Sequence, residues 1–115
     1  MIIKLNDIEG PEPDTNDLDG WVVREGHPTM KTRILHTNKE KNMISGIWEA
    51  TPGTYHATYS AYEFVHMIAG KILITPDDGT TAITVRQGDS FVVESNFKGT
   101  WKIEEKVTKH FDFML

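Results

Sequence analysis

The chain predicts an all-β protein, an antiparallel barrel or sandwich of short strands, and three observations carry that expectation. From Met43 onward, β-prone runs recur: MISGIWEA, TYHATY, YEFVHMIA, KILITP, TAITVR, SFVVE, GTWKIEE and VTKHFDFML. Turn chemistry separates many of them, with TPG at 51–53, DDG at 77–79, QGD at 87–89 and SNFKG at 95–99. No stretch sustains a 3.6-residue apolar period over a helical length. Short strands at near-regular spacing are the signature of closed or double-sheet antiparallel architectures.

Taken in order, residues 1–42 read as an N-terminal arm of the same domain, and residues 43–115 as the barrel. The segment IEGPEPDTNDLDGW carries two prolines, two glycines and five acidic residues (Glu9, Glu12, Asp14, Asp17, Asp19), a composition of irregular chain. HPTMKTRILHTNKEKN is weakly patterned, with one short strand expected around Thr32 to His36. In the barrel, side chains alternate between faces along each strand, so parity separates inside from outside. Glu63, Val65 and Met67 share one face of their run, and Phe64, His66 and Ile68 share the other; both faces are largely apolar. A strand covered on both sides predicts that the arm or a second subunit lies over the outside, most economically in a homodimer. Gly99, Trp101 and Ile103 align on one face of the next-to-last run. In the last run Val107, Phe111 and Phe113 share their face with Lys109, opposite Thr108, His110 and Asp112.

Composition narrows the function. A chain of 115 residues is a single-domain length, and folding at this size buries roughly two-thirds of the unfolded surface. The absence of cysteine removes disulfides, thiolate metal sites and cysteine nucleophiles, and fits a reducing cytoplasm. No apolar run approaches the ~20 residues of a membrane span, and MIIKLNDIEG lacks a signal-peptide pattern. With 12 basic and 17 acidic residues, the net charge of -5 disfavours a nucleic-acid partner. The expected partner is a small molecule, with neither nucleic acid nor membrane engaged.

Glu63 and Gly70, with six residues between them, match the end of one known sequence motif, and Gly88 in GDSFVVESNFKGTW matches the start of a second. Together they resemble the cupins, small jelly-roll barrels (the RmlC-like double-stranded β-helix). The segments GIWEATPG, YEFVHMIAGKILIT, DDGTTAITVRQGDSFVV, FKGTWKI and VTKHFDF resemble more narrowly the small single-domain cupins related to the cupin domain of (S)-ureidoglycine aminohydrolase. Ethanolamine-utilisation cupins are neighbours of that group. The resemblance covers about residues 43 to 115, and G-T-W and the late K-H are its most specific parts. It implies the cupin barrel, and in family members with a metal it implies an H-x-H pair, the glutamate and a second-motif histidine as ligands. This chain departs from that set. The H-x-H positions fall on His56 and Thr58 in one register, and on Ala57 and Tyr59 in the other. The second-motif histidine falls on Gly99, and its proline and glycine on Glu94 and Asn96. At most His56 and Glu63 remain, short of the three protein ligands usual in catalytic metal sites. No cofactor is therefore expected; a divalent metal on His56 and Glu63 is the disfavoured alternative.

The candidate residues follow. Glu63 shares an apolar face, and the register of the cupin resemblance implies that it points into the barrel; Lys109 has the matching problem. A buried carboxylate needs a partner, so the two are expected to pair unless Lys109 snorkels at a rim. Trp48 and Trp101 either fill the core or wall a cavity, and Gly99 leaves room beside Trp101. Tyr59 offers a hydroxyl to the same space, while His56 and Thr58 are further ligand contacts. His66 and His110 belong to the outer face. Two functions fit. One is a binding module with Glu63 and Lys109 as charged anchors and Trp48, Trp101 and Tyr59 as walls. The other is an enzyme on a small nitrogenous or carbonyl substrate, aminohydrolase-like in one version, with Glu63 as acid/base and Lys109 tuning it.

Overall fold

The structure, a computed structural model, describes residues 1–7 and 10–115. Ile8 and Glu9, part of the arm expected to be irregular, lie outside the described residues. Eight strands follow a 3-10 turn at Leu5–Asp7: β1 (Trp21–Glu25), β2 (Met30–Thr37), β3 (Met43–Ala50), β4 (Gly53–Thr58), β5 (Tyr62–Pro76), β6 (Ile83–Arg86), β7 (Ser90–Val93) and β8 (Lys98–Met114). Among the described residues no helix is long and apolar enough to cross a membrane.

Two long strands organise the fold. The first half of β8 pairs with β4 and with the second half of β5; its second half pairs with β3 and with the first half of β5. β7 adds to the first half of β5, and β6 to the second. The result is two antiparallel layers, β1-β4-β8-β5-β6 and β2-β3-β8-β5-β7, joined where β5 and β8 pass from one to the other. This curled antiparallel sheet is the cupin jelly roll. The bend has a local cause. Register shifts cluster between Met67 and Ile72, as bulges do where a strand turns a corner. Gly70 sits there at φ 99°, and a Cβ on it would collide with the carbonyl oxygen of Lys106.

The structure revises the strand count. YEFVHMIA and KILITP are one strand, as are GTWKIEE and VTKHFDFML, because the breaks between them are bends within continuous ladders. A strand falls at Thr32 to His36 as expected, within β2. β1, unforeseen in the acidic arm, pairs with β4 and buries Trp21 while leaving Val22 and Val23 exposed. The arm does not cover the outside of β5, where Phe64 and Ile68 are exposed in the single chain. It runs instead along β2 through an Asp14–Thr32 bridge, and the Tyr55 hydroxyl donates to Asp17 Oδ1 at 3.2 Å. Burial, together with the charge and hydrogen bond of that carboxylate, pushes the Tyr55 phenol well above its ordinary range.

The core is strongly aromatic. Trp21 packs against Trp48, Tyr55, Tyr59 and Trp101 at ring-centroid distances of 5.3, 5.8, 5.9 and 5.0 Å, mostly tilted or edge-on. Such pairs contribute about 0.5–1.5 kcal/mol each beyond the area they bury.

Candidate functional site

Parity along three strands builds the site. β5 turns Glu63 inward with Val65 and Met67, β8 turns Lys109 inward with Val107 and Phe111, and Tyr59 follows β4 in phase with Tyr55 and Ala57. The Lys109 ammonium donates to Glu63 Oε2 at 2.9 Å, and the Tyr59 hydroxyl donates to Glu63 Oε1 at 2.7 Å. Lys109 and Glu63 are only 2% and 1% exposed, so neither charge is solvated by bulk water. The rings of Trp48, Trp101 and Trp21 surround the ammonium, their centroids 4.7, 4.8 and 5.9 Å from Nζ. These are the chain's three tryptophans. Their negative π-faces stabilise a desolvated cation.

Burial and charge compete at this centre. Desolvation lowers the Lys109 pKa below its ordinary value of 10.5, while the charge and hydrogen bond of Glu63 oppose the shift. For Tyr59 desolvation and the Glu63 carboxylate act together, holding the phenol well above 10.0. One donor is left over: the buried indole N–H of Trp101 has no acceptor, whereas that of Trp48 donates to Met30 Sδ at 3.3 Å.

The pairing expected of Glu63 and Lys109 is present, and snorkelling is not. Trp48 and Trp101, by contrast, are sealed in the core rather than lining an open cavity. The room expected beside Gly99 is taken: a Cβ there would stand 2.5 Å from the Phe97 ring and 2.8 Å from the Thr75 carbonyl oxygen. The site does reach a surface cleft of about 270 Å³ at the barrel mouth, walled by Leu18, Asp19, Trp21, Thr58, Tyr59 and Phe113. Thr58 thus meets the cleft, but not Glu63. His56 points away from the barrel, and its Nε2 lies 2.7 Å from Asp77 Oδ2 at the surface. It is therefore no partner of Glu63, and the metal alternative on those two residues is corrected. Residue reading missed Trp21, Met30 and Asp17, all in the polar arm or its continuation. The only available signal was the apolar WVV within that acidic stretch.

The donor set does not fit a cupin metal. The inward residues of the first motif are Ala57 and Tyr59, since His56 and Thr58 carry the outward parity. With Gly99 at the second-motif histidine and an ammonium on the glutamate, the barrel has one carboxylate and no imidazole at these positions. Among the described residues no three histidine, aspartate or glutamate side chains converge. One motif feature survives in altered form. Asn96, standing for the motif's glycine, holds a left-handed φ of 69°, a conformation asparagine tolerates better than most residues.

A double-layered antiparallel barrel with an inward glutamate at the end of the first motif fits the cupin class. More specifically, residues 37–111 match the EutQ-like cupin domain, and the chain belongs to that family. The structure is similar to the EutQ protein of Clostridium difficile at 17% identity and a TM-score of 0.66, over 76% of this chain and 63% of that one. It is also similar to a DUF861 family protein of Thermotoga maritima at 26% identity and a TM-score of 0.57, over 59% and 76%. A DUF861 family protein of unknown function from Pseudomonas syringae aligns at 17% identity and a TM-score of 0.68, over 81% and 44%. The chain thus spans less than two-thirds of the EutQ structure's length. No curated protein matches the chain in sequence.

Proposed function

We propose that this cupin binds a small organic molecule in the cleft at the barrel mouth, with the Tyr59–Glu63–Lys109 triad as a charged floor beneath it. The observation that supports this reading is the continuity of the two. Tyr59 and Trp21 wall the cleft on one side and contact the triad or its cage on the other. At about 270 Å³ the cleft is below the roughly 300–1,000 Å³ of drug-sized sites. The ligand is accordingly small, with an apolar body against Trp21, Tyr59 and Phe113 and a polar group near Asp19 or Thr58. An enzymatic reading is favoured by one specific observation, the buried carboxylate–ammonium–phenol chain, and it fits a carbonyl or nitrogenous substrate. An aminohydrolase-type assignment rests on G-T-W and K-H, the motifs that supply Trp101 and Lys109 to the cage. The same proposal places the protein in the cytoplasm as a homodimer, joined through the exposed outer-face residues Phe64, Ile68 and Val92.

Binding is tested by tryptophan fluorescence during titration with a panel of small neutral and cationic metabolites, because all the indoles lie around Lys109. A saturable change is expected, abolished by Ala61→Phe at a further residue of the cleft wall, which fills the cleft while leaving the far-UV spectrum intact. If no compound gives a saturable change, or if Ala61→Phe binds as well as the unmodified chain, the reading fails.

A further inference from the structure

We infer that Lys109 is a carbonyl-condensing amine, forming an imine with a small neutral aldehyde or ketone that enters through the mouth cleft. The inference rests on the cleft reading above and adds chemistry to it. Four features of the geometry carry it. The amine sits among three indoles that keep water away; their faces favour the cation, but desolvation is the larger influence and lowers the basicity of the amine. Glu63 Oε2, at 2.9 Å, is placed to take a proton from Nζ. Tyr59 holds the other carboxylate oxygen at 2.7 Å, fixing the direction of that transfer. The indole N–H of Trp101 is buried without an acceptor, in a ring centred 4.8 Å from Nζ. A buried donor lacking a partner calls for an explanation, and a substrate carbonyl oxygen would give it an acceptor.

The step balances within the site. Nζ gives one proton to Glu63, and its lone pair adds to the carbonyl carbon as the C=O π bond opens. The carbonyl oxygen collects the two remaining amine hydrogens and leaves as water while the C=N bond forms. The proton held by Glu63 returns to the imine nitrogen, so the buried pair ends as iminium and carboxylate, with its charge unchanged. With a net charge of -5 and Asp19 at the entrance, the chain disfavours an anionic carbonyl compound.

Reductive trapping tests this directly. The full chain is incubated near neutral pH with propanal or butanone and cyanoborohydride, and peptide mass mapping follows alkylation at every lysine. Lys109 is expected to alkylate at least about tenfold faster than the surface lysines, since a tenfold larger fraction of free amine needs only a modest fall in basicity. Lys109→Arg keeps the cation and should leave only the surface labelling. The map of the unmodified chain decides the matter even if a variant fails to fold. Labelling of Lys109 no faster than the surface lysines overturns the inference. If propanal, butanone or any other member of the panel still gives the saturable fluorescence change, the cleft reading stands without it; if no compound of the panel does, the two fall together.

Discussion

At the scale of single residues, Lys109 is the most consequential side chain in the molecule. Two opposite charges removed from water lose several kcal/mol of solvation each, and their mutual attraction recovers it only with good geometry and further partners. Here the partners are the Tyr59 hydroxyl and three indole faces. Truncating one member strands the other, so Lys109→Met should destabilise the fold by about 3–5 kcal/mol. Replacing Lys109, Glu63 and Tyr59 together by Met, Leu and Phe removes every stranded group. That triple variant should recover most of the loss, or exceed the original stability. Urea midpoints of the single and triple variants check this; a triple variant as unstable as Lys109→Met alone would show that the ion pair itself stabilises the barrel.

At the scale of elements, strand parity made most of the site legible in advance. Alternation put Lys109 and Trp101 on apolar faces, because a period of two needs no knowledge of partner strands; for Glu63, whose run is apolar on both faces, the register of the cupin resemblance was needed as well. Alternation did not reveal that β5 and β8 are continuous. Gly70 and the polar Glu104–Lys106 stretch read as interruptions, although a bent strand uses the same residues. Nor did it choose between the two registers of the first motif, since spacing to the glutamate varies and only the observed burial of Ala57 and Tyr59 decides. Trp21 stayed hidden for a different reason: β1 buries only its first residue, so it has no alternation to detect. The space beside Trp101 was misread because Phe97, two residues before Gly99, folds back into it. That filling has a measurable consequence. Gly99→His restores the family's histidine by name, but the ring would meet Phe97 and the Thr75 carbonyl. It should cost about 1–3 kcal/mol through overpacking. Added zinc or manganese should leave its melting temperature unchanged, and a metal-dependent rise would mean that the second-motif position still faces a usable site.

Across the whole molecule, the buried phenols and the caged amine set how stability responds to alkali, with opposing signs. Tyr55 and Tyr59 keep their protons in the folded state well above the ordinary 10.0. Above that value the unfolded chain releases protons the folded chain retains, so stability falls as pH rises. Lys109 acts in reverse. Between its lowered folded value and 10.5 the unfolded chain binds the extra proton, so stability rises with pH there and is flat below that window. The lysine's gain ends at 10.5, close to where the two tyrosine losses begin, so the curve should rise gently, turn over near pH 10 and then descend. Urea midpoints measured from about pH 7 to about pH 12 should trace that shape. Tyr59→Phe separates the contributions: its midpoint should be lower at neutral pH, where the hydrogen bond to Glu63 is lost, yet its decline above pH 10 should be shallower. Lys109→Arg should abolish the rise while leaving the descent. A monotonic fall from neutral pH in the unmodified chain would mean that the ammonium is held charged as firmly in the cage as in water. The same barrel would then be a rigid ion-pair core beneath its cleft, with no free amine to offer a ligand.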